Sequence, residues 1–209
     1  MNVITALGPA PRRPTLCSVA VGEGQFLITP EAAVRLGLRV GRALGDDELA
    51  ALRHEAEVQR VVDRALRMLA FRARSSAELK RRLAQKGERG PEVDTALARL
   101  LRAGVLDDEA FARQFARGRL GGGAVGRSRV VRELVGRGVD RSSAEGAVRE
   151  AADDEGVNEA EAVEKAARKK LRSLEGLEPA VRRRRLYGFL ARRGFDHDEI
   201  ARVLRALER

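Results

Sequence analysis

The chain has 209 residues, enough for one large domain or several small ones. Its single cysteine, Cys17, excludes an internal disulfide framework and a cysteine-cluster metal site. A net charge of +10 points to a polyanionic partner, nucleic acid first, or to an acidic protein surface. No apolar run approaches the roughly twenty residues of a membrane span and no signal-peptide layout opens the chain, so a soluble cytoplasmic protein without a membrane partner is expected.

The first 55 residues read as a small β-hairpin and helix module. Val3 to Leu7 and Leu16 to Val21 lean towards strand, Gly22-Glu23-Gly24 is a turn signal, and Gln25 to Ile28 returns as a hairpin strand. Thr29-Pro30 predicts an N-cap followed by proline at the first helical position, opening a short helix to Leu36. Gly37 to Gly45 is a link, and Asp46-Asp47-Glu48 places acids at the positive end of a further helix. Residues 1–60 hold seven basic and seven acidic residues, so the charge excess lies downstream.

From residue 56 the pattern is helical and repeats three times in one register, with Lys86-Gly87, Arg137-Gly138 and Arg193-Gly194 as fixed points. Eight residues before each glycine stand Leu79, Val130 and Leu186, and four before it Leu83, Leu134 and Leu190. After each glycine come Val93, Ala144 and Ile200 at six residues, Leu97, Val148 and Leu204 at ten, and Leu100, Ala151 and Leu207 at thirteen. Both sets mark one face of a helix. Three-helix repeats are expected over 56–106, 107–155 and 156–209, with helices near 56–71, 76–86, 91–103, 108–119, 127–137, 141–152, 158–174, 180–193 and 197–208. The fold class is mainly α: tandem three-helix, helix-turn-helix-like repeats in an elongated curved array behind the N-terminal module.

Start signals recur, with Ser75 to Glu78 and Ser142 to Glu145 as capping boxes and Asp107 and Asp196 as N-caps. The three glycines fit position C′, where a left-handed backbone is wanted. Glu88 is the exception, since Val139 and Phe195 follow the later glycines. A looser turn is expected there.

Catalytic and metal chemistry find no foothold. His54 and His197 stand far apart among acids, no metal-ligand spacing or nucleophile elbow occurs, and the carboxylates are spread as helix caps and partners of arginine. Gly121 to Ser128 nearly matches a phosphate-binding loop, but it follows a helix rather than a buried strand and reads as a flexible link. No cofactor is expected. With only 3% aromatic residues and no tryptophan, a base-stacking platform is not expected either.

The remaining candidates for function are basic clusters on equivalent helices: Lys80, Arg81, Arg82 and Lys86; Arg127, Arg129, Arg132 and Arg137; Lys169, Lys170 and Arg172; and Arg182, Arg183, Arg184, Arg185, Arg192 and Arg193. Stacked repeats would align them as a basic stripe that specifies charge, not sequence.

Several runs in fixed order resemble the RecX family, regulators of the RecA recombinase. They are Ala65 to Leu69, Arg74 to Leu79 with Leu83 and Lys86-Gly87, and Gly104 to Glu109 with Phe111-Ala112. Gly126 to Arg129, Arg132 to Leu134, Arg137 to Val139, and Leu190 to Phe195 with Ile200 follow. The resemblance covers about residues 56–208. It implies a non-catalytic regulator that binds in the groove of RecA filaments on DNA; a monomer with weak electrostatic contact to single- and double-stranded DNA is expected. It also implies restraint of recombinase, ATPase and coprotease activity in DNA repair and the SOS response. The competing reading is a free-standing helix-turn-helix DNA-binding protein. A major-groove reader needs polar side chains aimed at base edges, whereas the third helices offer Ala144, Ala147 and Val148, or Ile200, Val203 and Leu204.

Overall fold

The computed structural model describes residues 2–123, 125–156 and 158–207. Three strands, β1 (Asn2–Ala10), β2 (Arg13–Val21) and β3 (Gly24–Ile28), precede helix α1 (Pro30–Arg35), and a two-residue strand β4 (Ala43–Leu44) completes an antiparallel sheet ordered β3-β2-β1-β4. Thr29 caps α1 as its sequence predicts, its Oγ1 accepting from the Ala32 amide at 3.2 Å.

Helix α2 (Asp46–Phe71) then runs without a break across residues 55 and 56. No proline or glycine interrupts it, and its two halves serve different cores. Leu49, Leu52 and Ala56 pack with Ile4, Val19, Ile28 and Ala32, whereas Val58, Val61 and Ala65 pack with the next two helices.

Those helices are α3 (Ser76–Gln85) and α4 (Pro91–Arg102). A second three-helix set follows in α5 (Asp108–Leu120), α6 (Arg127–Gly136) and α7 (Arg141–Asp154). The third is α8 (Glu159–Leu171) with a 3-10 turn (Arg172–Leu174), α9 (Pro179–Arg192) and α10 (His197–Leu207). Glu208, the last residue of the helix expected over 197–208, lies outside the described residues, as does Ala124 of the glycine-rich segment. Each set owns a separate core, and the register residues named above are buried in it, Leu207 only partly.

The three pinned glycines close their helices in one way. Gly87, Gly138 and Gly194 have φ of 87°, 87° and 82°, and the residue after each returns its amide to the buried leucine five positions back: Glu88 to Leu83, Val139 to Leu134 and Phe195 to Leu190. This is the Schellman arrangement, which satisfies the last carbonyls of a helix. The turn at Glu88 is therefore no looser than the other two. The cap of α7 corrects a second expectation: Asp140, not Ser142, holds the helix start, its carboxylate accepting from the amides of Ser142 at 2.9 Å and Ser143 at 3.3 Å. A carboxylate at the positive end of a helix gains from the dipole as well as the bonds. At α5 the expected cap stands, with Asp107 accepting from the Ala110 amide at 2.8 Å.

Contacts divide the chain into two compact units, Met1–Arg74 with Leu79–Leu106, and Ser75–Glu78 with Asp107–Arg209. Within the second unit one joint occurs twice. Ser75 Oγ donates to the carbonyl of Arg137 at 2.5 Å, and the Gly126 amide donates to the carbonyl of Arg193 at 2.8 Å. The residue after each then meets an acid at the start of the following set. Ser76 bonds Asp108 through its amide at 2.7 Å, and Arg127 pairs with Glu159 at 3.3 Å. Gly126 is thus part of a joint. A Cβ there would collide with the backbone of Gly194 and Phe195.

Candidate functional site

Because the four arginines of Arg182 to Arg185 lie on a helix, each side chain turns about 100° from the last and the four cannot all share one face. They divide between two clefts. Arg184 and Arg185 line one of about 430 Å³ with Lys170, Leu174, Gly188 and Arg192, and Arg182 and Arg183 border another of about 690 Å³ floored by Leu171, Leu186, Leu204 and Leu207. Of this group Arg184, Arg185 and Arg192 are exposed and make no ion pair among the described residues. Lys169 and Arg172, at the end of α8 and in the 3-10 turn, are exposed too.

Two pin residues are occupied by aromatic rings. Arg137 places its guanidinium 4.3 Å from the Phe115 ring centre and donates to the carbonyl of Glu133 at 2.8 Å. Arg193 lies 4.5 Å from the Phe189 ring centre, with Lys170 at 5.5 Å from the same ring. An arginine stacked on a ring keeps its charge but loses freedom to follow a ligand.

Repeat two spends its cations on structure more than the sequence foretells. Arg129 pairs with Glu133 at 3.0 Å, Arg119 pairs with the same carboxylate at 2.6 Å, and Arg127 is taken by Glu159. Burial raises the Glu133 carboxyl, but bonds from the two arginines outweigh it and hold the group below the usual carboxylate range. Glu159 moves the other way, pushed up by burial beyond what Arg127 recovers. Of the predicted four, Arg132 alone is exposed. It faces Arg141 and Arg149 of α7 across a groove of about 440 Å³ that also holds Arg127 and Ser128. The sequence reading missed Arg141 and Arg149. Their spacing of eight residues puts both on one side of α7, a signal that was available.

In repeat one Lys80 pairs with Asp94 of α4, while Arg82 donates to Gln85 at 3.2 Å, and both stay exposed with Arg81. Lys86, exposed at the pin, belongs to a further cleft of about 530 Å³ with Arg64, Arg67, Met68, Phe71 and Arg74. The cations on α2 were also missed, because they precede the helix on which the repeat signal rests.

Beside that cleft a buried carboxylate organises the end of the repeat. Glu88 is 5% exposed and accepts from the two terminal guanidinium nitrogens of Arg60 at 2.6 and 2.7 Å, with Arg64 at 2.8 Å. The Arg60 bonds hold its carboxyl below the usual range. Fully buried Ala65, Ala116 and Ala167 fix the register of the first helices, which makes Arg60 and Arg64 equivalent to Phe111 and Phe115, and to Ala162 and Ala166. Positions that are apolar in the later repeats hold an ionic trio, Arg60, Arg64 and Glu88, in the first. Glu55, also buried, is held likewise by Arg99 at 2.6 and 2.8 Å and Arg35 at 2.5 Å.

The arrangement places exposed cations beside a cleft in each of the three repeats. No group of three or more potential metal ligands occurs among the described residues. Both histidines are partnered, His54 with Glu92 at 3.0 Å and His197 with the Tyr187 hydroxyl at 2.6 Å. No helix is long and apolar enough to cross a membrane, among the same residues.

Comparison with known proteins follows this geometry. Three family models match in chain order: RecX, first three-helix domain over residues 62–100, the second over 107–148 and the third over 158–204. A crystal structure of regulatory protein RecX superposes with a TM-score of 0.81 at 18% identity, covering 97% of this chain and 98% of that one. RecX from Lactobacillus salivarius superposes with a TM-score of 0.62 at 18% identity, over 73% of this chain and 97% of that one. No curated protein matches significantly.

Proposed function

The chain belongs to the RecX family, and from that membership we propose that it binds RecA filaments assembled on DNA, lies in the filament groove and restrains recombinase, ATPase and coprotease activity. The ordered match of three three-helix domains carries this reading. Each domain has its own core and displays exposed cations that make no ion pair among the described residues, among them Lys86, Arg132 and Arg184. A chain of such modules suits a partner that repeats, because one weak contact raises the effective concentration for the next. Contact with single- and double-stranded DNA is electrostatic and weak, and the protein acts as a cytoplasmic monomer without catalysis of its own.

The test is the ATPase rate of RecA filaments on single-stranded DNA as this protein is titrated in well below stoichiometric amounts. Loss of activity is expected. An unchanged rate together with binding to bare duplex DNA would replace this reading by an independent DNA-binding protein.

A further inference from the structure

Helix α2 ends on a ring that the fold does not use. Phe71 is 85% exposed, and Met68, one turn earlier, lines the same cleft. Isolated exposed apolar residues are ordinary on a protein surface. This one is different in its company, because the remaining walls of the cleft are Arg64, Arg67, Arg74 and Lys86. Arg67 and Lys86 make no ion pair among the described residues, and the acid that Arg64 meets, Glu88, is buried and already bound by Arg60. Arg67 and Lys86 therefore set positive charge beside an open aromatic face.

A ligand that satisfies both needs a chain of negative charges and a flat, exposed π-surface at short intervals. Single-stranded nucleic acid has both. A duplex keeps its bases stacked on one another, and an acidic peptide supplies charge but no regular partner for the ring face. We propose that Phe71 is a stacking platform for an unpaired base of single-stranded DNA, with Arg67 and Lys86 holding the adjoining phosphates. The proposal rests on the reading above that DNA is a partner, and it assigns the surface that meets the strand.

The 209-residue chain has no tryptophan, so in the Phe71→Trp variant the emission on selective excitation reports residue 71 alone. The exposed position accepts the larger ring without repacking. A dT oligonucleotide should quench this emission saturably, and a duplex of equal length much less. In the native background, Phe71→Ala should weaken oligonucleotide binding about tenfold by fluorescence anisotropy. Arg67→Gln and Lys86→Gln should each lower the slope of log K against log salt by about 0.7. Unquenched emission with unaltered affinity in Phe71→Ala would overturn the proposal, as would a spectral shift produced by DNA-free RecA but not by the oligonucleotide. The DNA titrations contain no recombinase, so they fail or succeed independently of filament regulation.

Discussion

At the residue scale, Glu55 and Glu88 show how an acid becomes a core residue. Each is buried, and each keeps its charge because arginines reach it from a neighbouring element or along its own helix contact. Both carboxyls are depressed, by Arg99 foremost for Glu55 and by Arg60 for Glu88. The sign follows from linkage: a carboxyl with a depressed native pKa adds stability that is present above its unfolded value, about 4.3, and is lost as pH falls through the native value. Urea unfolding should therefore show stability dropping steeply below about pH 4.3. In Glu88→Gln the stability at pH 7 should be lower by about 1–2 kcal/mol, discounted for the half-exposed arginines, and the acid-side slope shallower. An unchanged slope would mean that the carboxylate is not charged in the folded protein.

At the element scale, glycine acts in two distinct ways. Gly138 has φ of 87° with open space where a Cβ would stand, so its demand is conformational. Gly126 has φ of −83°, open to any residue, yet a Cβ there would overlap the backbone of Gly194. Gly138→Ala should cost about 1–2 kcal/mol in thermal or urea unfolding. Gly126→Ala should cost more and act through the joint, seen as faster amide exchange in α6 and α9; equal small losses at both positions would remove the joint. The third repeat differs at the position equivalent to the two joints. Register places Arg182 where Ser75 and Gly126 stand, but α9 begins a turn early at Pro179, and the Arg182 amide is spent inside the helix on Glu178 at 2.9 Å. At repeat one, Arg64 donates to the Lys86 carbonyl at 3.1 Å, the atom equivalent to those bonded at the two joints.

For the whole molecule, charge matters by what is left over after folding. Arg127, Arg129, Arg137 and Arg193 are engaged by acids or rings, so the surface available to a polyanion is smaller than the sequence count. Charge reversal of Arg184, Arg185 and Arg192 should weaken inhibition of filament ATPase at least tenfold and leave helicity unchanged, because these exposed side chains make no ion pair among the described residues. Reversal of Arg182 and Arg183 should act less, because they border a different cleft. Full inhibition by the Arg184, Arg185 and Arg192 variant would take that cleft out of the mechanism.

The sequence by itself determined the repeat, because the periodicity of buried residues and the backbone need for glycine are local properties that each copy states in the same register. It also determined the hairpin, the Thr29 cap and the basic character of the helical region. The tertiary structure alone decided which arginines are structural, that Glu88 is a buried anchor rather than a loosened turn, and that Phe71 stays outside. Those outcomes depend on partners distant in sequence, 28 residues for Arg60 and Glu88. A charge or a ring carries no mark in the chain of whether its neighbour in space will neutralise it, cover it or leave it to water.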